Sequence, residues 1–245
     1  MSKIYDALEH ASKEKRAFAE PLSPPSVLLP REAGKADIYL EEEMISLYQT
    51  IIASLPAVDH PSVLFVGSRS NEGTSTVARQ LARTASLRLE KSVLLIDLDR
   101  SRPDLHVYET LRHEERAKEP VDAGNPLDSC LLQSEECSLY LMPLFERTML
   151  TPGTLDKVKD GAFWEPLKER FELIIVDSPP ATLFPDGPGI VSQVDGVILV
   201  VEAERTRWQV ALAVKEKIVK HGGNVLGIVF NKRRYYIPQF IYRHL

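Results

Sequence analysis

Val63-Leu-Phe-Val-Gly-Ser-Arg-Ser-Asn-Glu-Gly-Thr-Ser-Thr-Val-Ala-Arg-Gln-Leu-Ala82 decides the fold. An apolar strand breaks into a polar, glycine-containing loop and then enters an amphipathic helix. That is the outline of a phosphate-binding loop, in which consecutive backbone N–H groups and a helix N-terminus hold an anion through the main chain. The sequence form of such a loop is G-x-x-x-x-G-K-[S/T]. With Gly73 as the second glycine, Ser68 takes the first glycine position, Thr74 the lysine and Ser75 the Mg²⁺-binding hydroxyl. The lysine is missing. The loop residues expected to hold phosphate are Ser70, Asn71, Glu72, Gly73, Thr74, Ser75 and Thr76.

Outward from this stretch, apolar runs alternate with helical segments. Val93-Leu-Leu-Ile96 ends in Asp97-Leu-Asp-Arg-Ser-Arg-Pro103, and further strands are expected at Leu139–Met142, Leu173–Val176, Val197–Val201 and Val225–Phe230. Continuous β-branched and leucine-rich runs separated by helices indicate parallel strands buried on both faces. The expected fold is therefore α/β: a doubly wound, mostly parallel sheet with helices on both faces. Helices are expected from Asp37 to about Leu55, with Leu40, Met44, Leu47, Tyr48 and Ile51 on one face, and from Ser75 to about Leu89. Thr206-Arg-Trp-Gln209 has the form of a capping box, opening a helix that stops at Gly222-Gly223. The polar, acidic stretch from about Arg112 to Ser138 reads as an excursion at one edge of the sheet.

Three segments divide the chain. Residues 1–19 read as an N-terminal helix, with Ile4, Leu8 and Ala11 at helical spacing behind Ser2. Residues 20–37 form a linker crowded with Pro21, Pro24, Pro25 and Pro30, and 38–245 the nucleotide-binding type of domain. At 245 residues, 44% hydrophobic and 27% charged, the chain has the balance of a soluble globular protein. No apolar run approaches the roughly 20 residues that span a bilayer, and a cytoplasmic location is expected. Cys130 and Cys137 lack metal-ligand spacing and read as free thiols. A net charge of −5 argues against nucleic acid as a partner.

In an open parallel sheet the ligand lies outside the carboxyl ends of the strands. Three such ends carry fitting groups: the loop 68–75, Asp97 and Asp99 after the second strand, and Asp177 after Ile174-Ile-Val176. Mg²⁺ prefers hard oxygen ligands and keeps several waters, so a hydroxyl with one or two carboxylates suits it.

Asp97-x-Asp-x-x-Arg-Pro103, Phe171-Glu-Leu-Ile-Ile-Val-Asp-Ser-Pro-Pro180, Val194-Asp-Gly-Val-Ile-Leu-Val-Val201 and Val225-Leu-Gly-Ile-Val-Phe-Asn-Lys232 together resemble the bacterial tyrosine kinases of capsule and exopolysaccharide export. That family shares its fold with the MinD/ParA partitioning ATPases. The resemblance covers roughly residues 38–245, and the opening Met1-Ser-Lys-Ile-Tyr-Asp-Ala-Leu8 is similar to the start of exopolysaccharide-associated members. It implies ATP or ADP with Mg²⁺ as cofactors and Asp97 as the group that activates an attacking hydroxyl. Ser75, Asp99 and Asp177 would be the metal site, and Asn231 would lie beside the adenine. Asn231-Lys-Arg-Arg234 lacks the aspartate of the guanine-reading Asn-Lys-x-Asp pattern, which favours adenine. The implied partner is an inner-membrane protein of polysaccharide chain length or export, holding the chain at the inner face of the membrane. A homo-oligomer is implied as well.

The chain departs from the family at three places. Thr74 replaces the lysine that bridges the β- and γ-phosphates. Phosphoryl transfer rests on positioning and charge, and losing one such cation costs about 10³–10⁵ in rate by analogy with an arginine finger, while binding loses only about 1.5–3 kcal/mol. Nucleotide binding is thus expected to outlast catalysis, with Arg69 or Arg79 as candidate replacement cations. The Glu-x-x-Arg-x-x-Arg pattern for ring assembly falls on Glu42, Ile45 and Tyr48, without its arginines. The terminal tyrosine cluster shrinks to Tyr235, Tyr236 and Tyr242. Four readings stand side by side: an adenine-nucleotide-binding regulatory protein of polysaccharide synthesis or export, an active ATP-dependent tyrosine kinase, a non-catalytic scaffold, and a ParA/MinD-like positioning ATPase.

Overall fold

In the computed structural model, the described residues are 35–98, 131–134, 137–144, 158–183 and 187–233. The expected N-terminal helix and nearly all of the proline-rich linker, together with Asp99, Cys130, Tyr235, Tyr236 and Tyr242, lie outside them. From Tyr39 onward the chain belongs to one compact unit.

Seven strands form one sheet: β1 (Ser62–Gly67), β2 (Val93–Asp97), β3 (Leu132–Gln133), β4 (Leu139–Pro143), β5 (Leu173–Asp177), β6 (Gly196–Glu202) and β7 (Val225–Asn231). Their spatial order is β3-β4-β2-β5-β1-β6-β7. Every pairing is parallel except β3 with β4, where the chain's excursion ends as an antiparallel edge strand. β1, β2 and β5 are buried at every residue, as their unbroken apolar runs require.

Helices cover both faces, so the doubly wound α/β expectation holds. Helices α1 (Lys35–Ser54) and α2 (Thr74–Arg88) lie on one face, where Met44, Ile51, Val77 and Leu81 pack against Val63, Phe65, Leu95 and Ile175. Leu40 stays exposed, so the apolar stripe of α1 begins one turn later than expected. Ile45 and Tyr48, at the family's arginine positions, are half-buried, and Tyr48 packs on the core. On the other face α3 (Gly161–Arg170), α4 (Gly187–Val191) and α5 (Trp208–Lys220) place Trp164, Leu167, Ile190, Val214 and Ile218 against Leu64, Ile96, Val176 and Leu199.

Helix α3 has a sequence signal that Pro166 in its interior obscures. The Asp160 carboxylate caps it by accepting the Ala162 N–H at 3.2 Å, and Phe163, Trp164 and Leu167 face the core. The capping box at the head of α5 does not form. Arg207, not Thr206, is the N-cap residue and makes no side-chain cap bond; the Thr206 hydroxyl, one residue ahead of the cap, donates to the Glu72 carboxylate on the phosphate loop. The helix stops at Lys220, ahead of Gly222-Gly223, as expected. Cys137 is a free, half-buried thiol that donates to Ser134 Oγ at 3.5 Å.

Candidate nucleotide site

β1 enters the loop through Gly67, and the sequence reading overlooked what this residue does. A Cβ on Gly67 would stand 2.6 Å from Thr74 Oγ1 and 3.2 Å from Glu72 Oε2, so its missing side chain makes room for both. The space that the motif's first glycine supplies is thus provided one residue early. Ser68, at the motif position itself, is buried and uses its hydroxyl to donate to Glu72 Oε1 at 2.7 Å.

The loop then curls through two left-handed residues, Asn71 (φ 69°) and Gly73 (φ 88°). Residues in alternating handedness turn successive N–H groups to one side, which makes an anion-binding concavity. Gly73 is required twice over: by its φ, and because a Cβ there would lie 2.1 Å from Asn231 Nδ2. Gly73 is also the N-cap of α2 and supplies no side-chain cap. The first bond across the helix start runs from Val77 N–H to the Gly73 carbonyl at 3.0 Å, leaving the N–H groups of Thr74, Ser75 and Thr76 ahead of it. An uncapped helix start behind such a concavity is a place for an anion.

The expected phosphate-binding residues differ in exposure. Ser70, Asn71 and Thr76 are exposed, Gly73 and Ser75 half-buried, and Glu72 and Thr74 buried. Glu72 is 3% exposed, and its carboxylate accepts from Ser68 Oγ, from Arg69 N–H at 2.8 Å and from Thr206 Oγ1. Only its backbone is left for a ligand. The Arg69 N–H is engaged there too, while its side chain is exposed. Thr74 is tucked beneath the loop against Gly67 and reaches no further.

A lysine does reach the loop, from an unexpected strand. Lys232, at the end of β7, donates from Nζ to the Asn71 carbonyl and lies 3.6 Å from Glu202 Oε2. Its neighbour Asn231 donates from Nδ2 to the Glu72 carbonyl at 2.9 Å and accepts the Lys232 N–H on Oδ1 at 2.9 Å. Both residues tie the loop down. Sequence reasoning placed Asn231 at the site for adenine and had no signal for Lys232, since the contact depends on where β7 ends.

Asp97 and Asp177 end adjacent strands and are register partners, at 6% and 1% exposure. Parallel neighbours in register turn their side chains to the same face, so two carboxylates stand side by side. Asp177 is also in register with Phe65 of β1, two residues before the loop. Among the described residues no three His, Cys, Asp or Glu side chains converge as a protein-only metal cage. Paired carboxylates at strand ends, with the Ser75 hydroxyl on the first turn of α2, fit instead a cation that keeps water and phosphate oxygens in its shell, which is the habit of Mg²⁺.

No family model matches the chain. Tyrosine-protein kinase CpsD of Streptococcus agalactiae is 27% identical over 165 residues, 67% of this chain and 72% of that protein. The kinase domain of the Escherichia coli tyrosine kinase ETK superposes with a TM-score of 0.64 at 16% identity, over 80% of this chain and 78% of that one. The MinD cell division protein of Aquifex aeolicus gives 0.52 at 21% identity, over 75% and 73%.

Proposed function

We propose that this chain, which is homologous to bacterial tyrosine-protein kinases and shares their fold with MinD/ParA-type P-loop ATPases, is an adenine-nucleotide-binding protein of polysaccharide synthesis or export with little or no phosphoryl transfer of its own. One observation carries the reading. The phosphate loop keeps its anion-binding main chain, while the motif's lysine is missing from it: Thr74 stands in that place, folded under the loop, and Lys232 is spent on the loop's own carbonyl. Main-chain N–H groups hold a ground-state phosphate, whereas charge developing in transfer calls for a mobile or bridging cation. ATP or ADP would lie with its phosphates on Ser70 to Thr76 and its adenine toward Asn231. Mg²⁺ would be held by Ser75 and Asp177, with Asp99 as the further carboxylate, and its chemistry when bound is to neutralise phosphate charge.

The tyrosine-kinase reading draws support from Asp97, a buried carboxylate at the end of β2 beside Asp177, which on that reading would accept the proton of an attacking hydroxyl. On either reading the chain works in the cytoplasm against an inner-membrane chain-length or export protein. That setting follows from the family resemblance, and among the described residues no helix is long and apolar enough to cross a membrane.

Calorimetric titration with Mg²⁺-ADP and Mg²⁺-ATP tests the proposal, with Asp177→Ala as control. Saturable binding that the control loses, together with ATP turnover at background, is the expected result. Turnover or tyrosine phosphorylation that disappears in Asp97→Ala establishes the kinase instead, and no binding at millimolar nucleotide leaves a scaffold.

A further inference from the structure

The Glu72 side chain is the least expected feature of the loop. It is buried with three neutral donors, and among the described residues no cation pairs with it. A carboxylate in that setting carries a desolvation cost that an apolar side chain would avoid. The cost is offset by what the carboxylate holds. Its two oxygens collect the Ser68 hydroxyl from the start of the loop, the Arg69 N–H from the next residue and the Thr206 hydroxyl from the segment between β6 and α5. An apolar residue would leave a buried hydroxyl and a backbone N–H without an acceptor. Thr206 lies one residue ahead of the N-cap of α5, and its hydroxyl proton goes to this contact.

We propose that Glu72 is a positioning residue that sets the curl of the phosphate loop from beneath, and that Thr206 holds it, so that the β6–α5 segment governs the affinity of the loop for phosphate. The proposal rests on the nucleotide reading above for its ligand, and on geometry alone for the brace. Glu72 makes no contact with phosphate through its side chain: it fixes the Arg69 N–H and closes the turn through which the following N–H groups converge. Asn231 and Lys232 hold the same turn by its carbonyls, at Glu72 and Asn71. The loop is therefore clamped from both of its polar sides before any ligand arrives, which lowers the ordering cost of binding.

The test uses the full chain with two readouts, amide hydrogen exchange at Arg69 and Mg²⁺-ADP affinity by calorimetry. Thr206→Val keeps the volume and removes the donor. Exchange at Arg69 is expected to quicken about tenfold and affinity to fall about tenfold, the equivalent of one lost hydrogen bond to a charged group. Thr206→Ser restores the hydroxyl and is expected to rescue both. Glu72→Gln is expected to rescue relative to Glu72→Ala, since its amide oxygen can take the Arg69 N–H while its NH₂ donates to the two hydroxyls. Arg69 exchange in Thr206→Val equal to that of the parent, or a serine variant that fails to rescue, overturns the brace. Should the parent bind no nucleotide, the nucleotide reading fails and the exchange pattern alone decides the brace. Should Glu72→Ala fail to fold, the Thr206 pair carries the test.

Discussion

The two ends of the sheet use their acidic side chains differently. At the amino end, Asp195 just ahead of β6 accepts the Ser62 N–H at 2.8 Å, the Ser62 hydroxyl at 2.7 Å and Lys168 Nζ at 2.9 Å. At the carboxyl end Glu202 lies 3.6 Å from Lys232, but Asp97 and Asp177 are set beside each other, and among the described residues Glu72 meets neutral donors. The first arrangement matches a negative charge with a positive one and stitches β1 and β6 to α3. The second concentrates acidic groups at the place where an open parallel sheet receives its ligand. The contrast separates the end that holds the fold together from the end that is kept ready for a cation and an anion.

Asp195→Ala should have the largest effect on stability. It strips a mostly buried lysine of its counter-charge and two Ser62 donors of their acceptor, at a cost of about 3 kcal/mol. In a chain of this size that lowers the melting temperature by about 6–12 °C. Thermal unfolding checks it, and nucleotide affinity at the far end of the sheet should be unchanged. A loss of affinity equal to the loss of stability would merge the two ends into one cooperative device.

Gly73→Ala comes next and is expected to act at the carboxyl end on both quantities. A left-handed φ costs a residue with Cβ about 1–2 kcal/mol, and the new methyl meets Asn231 Nδ2 at 2.1 Å, so about 2 kcal/mol of stability is lost along with nucleotide binding. Asn231→Ala in the same background should recover part of the stability, because it removes the colliding amide. Asp177→Asn should separate the two quantities: the isosteric amide takes a like charge away from Asp97 and leaves stability within about 1 kcal/mol of the parent, yet Mg²⁺-dependent nucleotide binding falls at least about tenfold. A stability loss as large as that of Asp195→Ala would make Asp177 a structural anchor.

The division between the two ends was partly legible in the sequence. Val63-Leu-Phe-Val, Val93-Leu-Leu-Ile and Leu173-Ile-Ile-Val are too continuously apolar for a sheet with a wet face, so parallel pairing and helices on both sides followed at once. The positions of Asp97 and Asp177 at strand ends were legible too. That they are register partners was not, because β5 inserts between β1 and β2 in space while following both in sequence. The same limit hid the roles of Gly67, Thr206 and Lys232. Each is decided by a partner more than five residues away: Thr206 had a local reading as a cap, but α5 starts one residue later, at an Arg207 cap, and the Thr206 hydroxyl serves a distant carboxylate. Helix α3 went unassigned in the sequence reading; its interior Pro166 counts against a helix locally, and it is the packing of Trp164 and Leu167 on the core that carries it.

The smallest expected effect concerns acid. Burial raises the affinity of the Asp195 carboxyl for its proton, but the hydrogen bonds from Lys168 and from the Ser62 hydroxyl and N–H outweigh it and hold the group below the ordinary carboxylate range. A group whose pKa is lower folded than unfolded contributes stability that is complete above its unfolded value, near pH 4, and is lost as pH falls through the folded value. Glu172 is depressed as well, first by the hydrogen bond from Lys91 and then by the Ser92 N–H, but this pair is partly exposed, more so than Asp195 and Lys168, and is more readily screened by salt. Urea unfolding between pH 6 and pH 3 should therefore show an acid arm that flattens in Asp195→Asn at any ionic strength, whereas Glu172→Gln should flatten it only at low salt. If Glu172→Gln removed the larger share, the acid sensitivity of the amino end would belong to its rim and not to the buried knot that joins β1, β6 and α3.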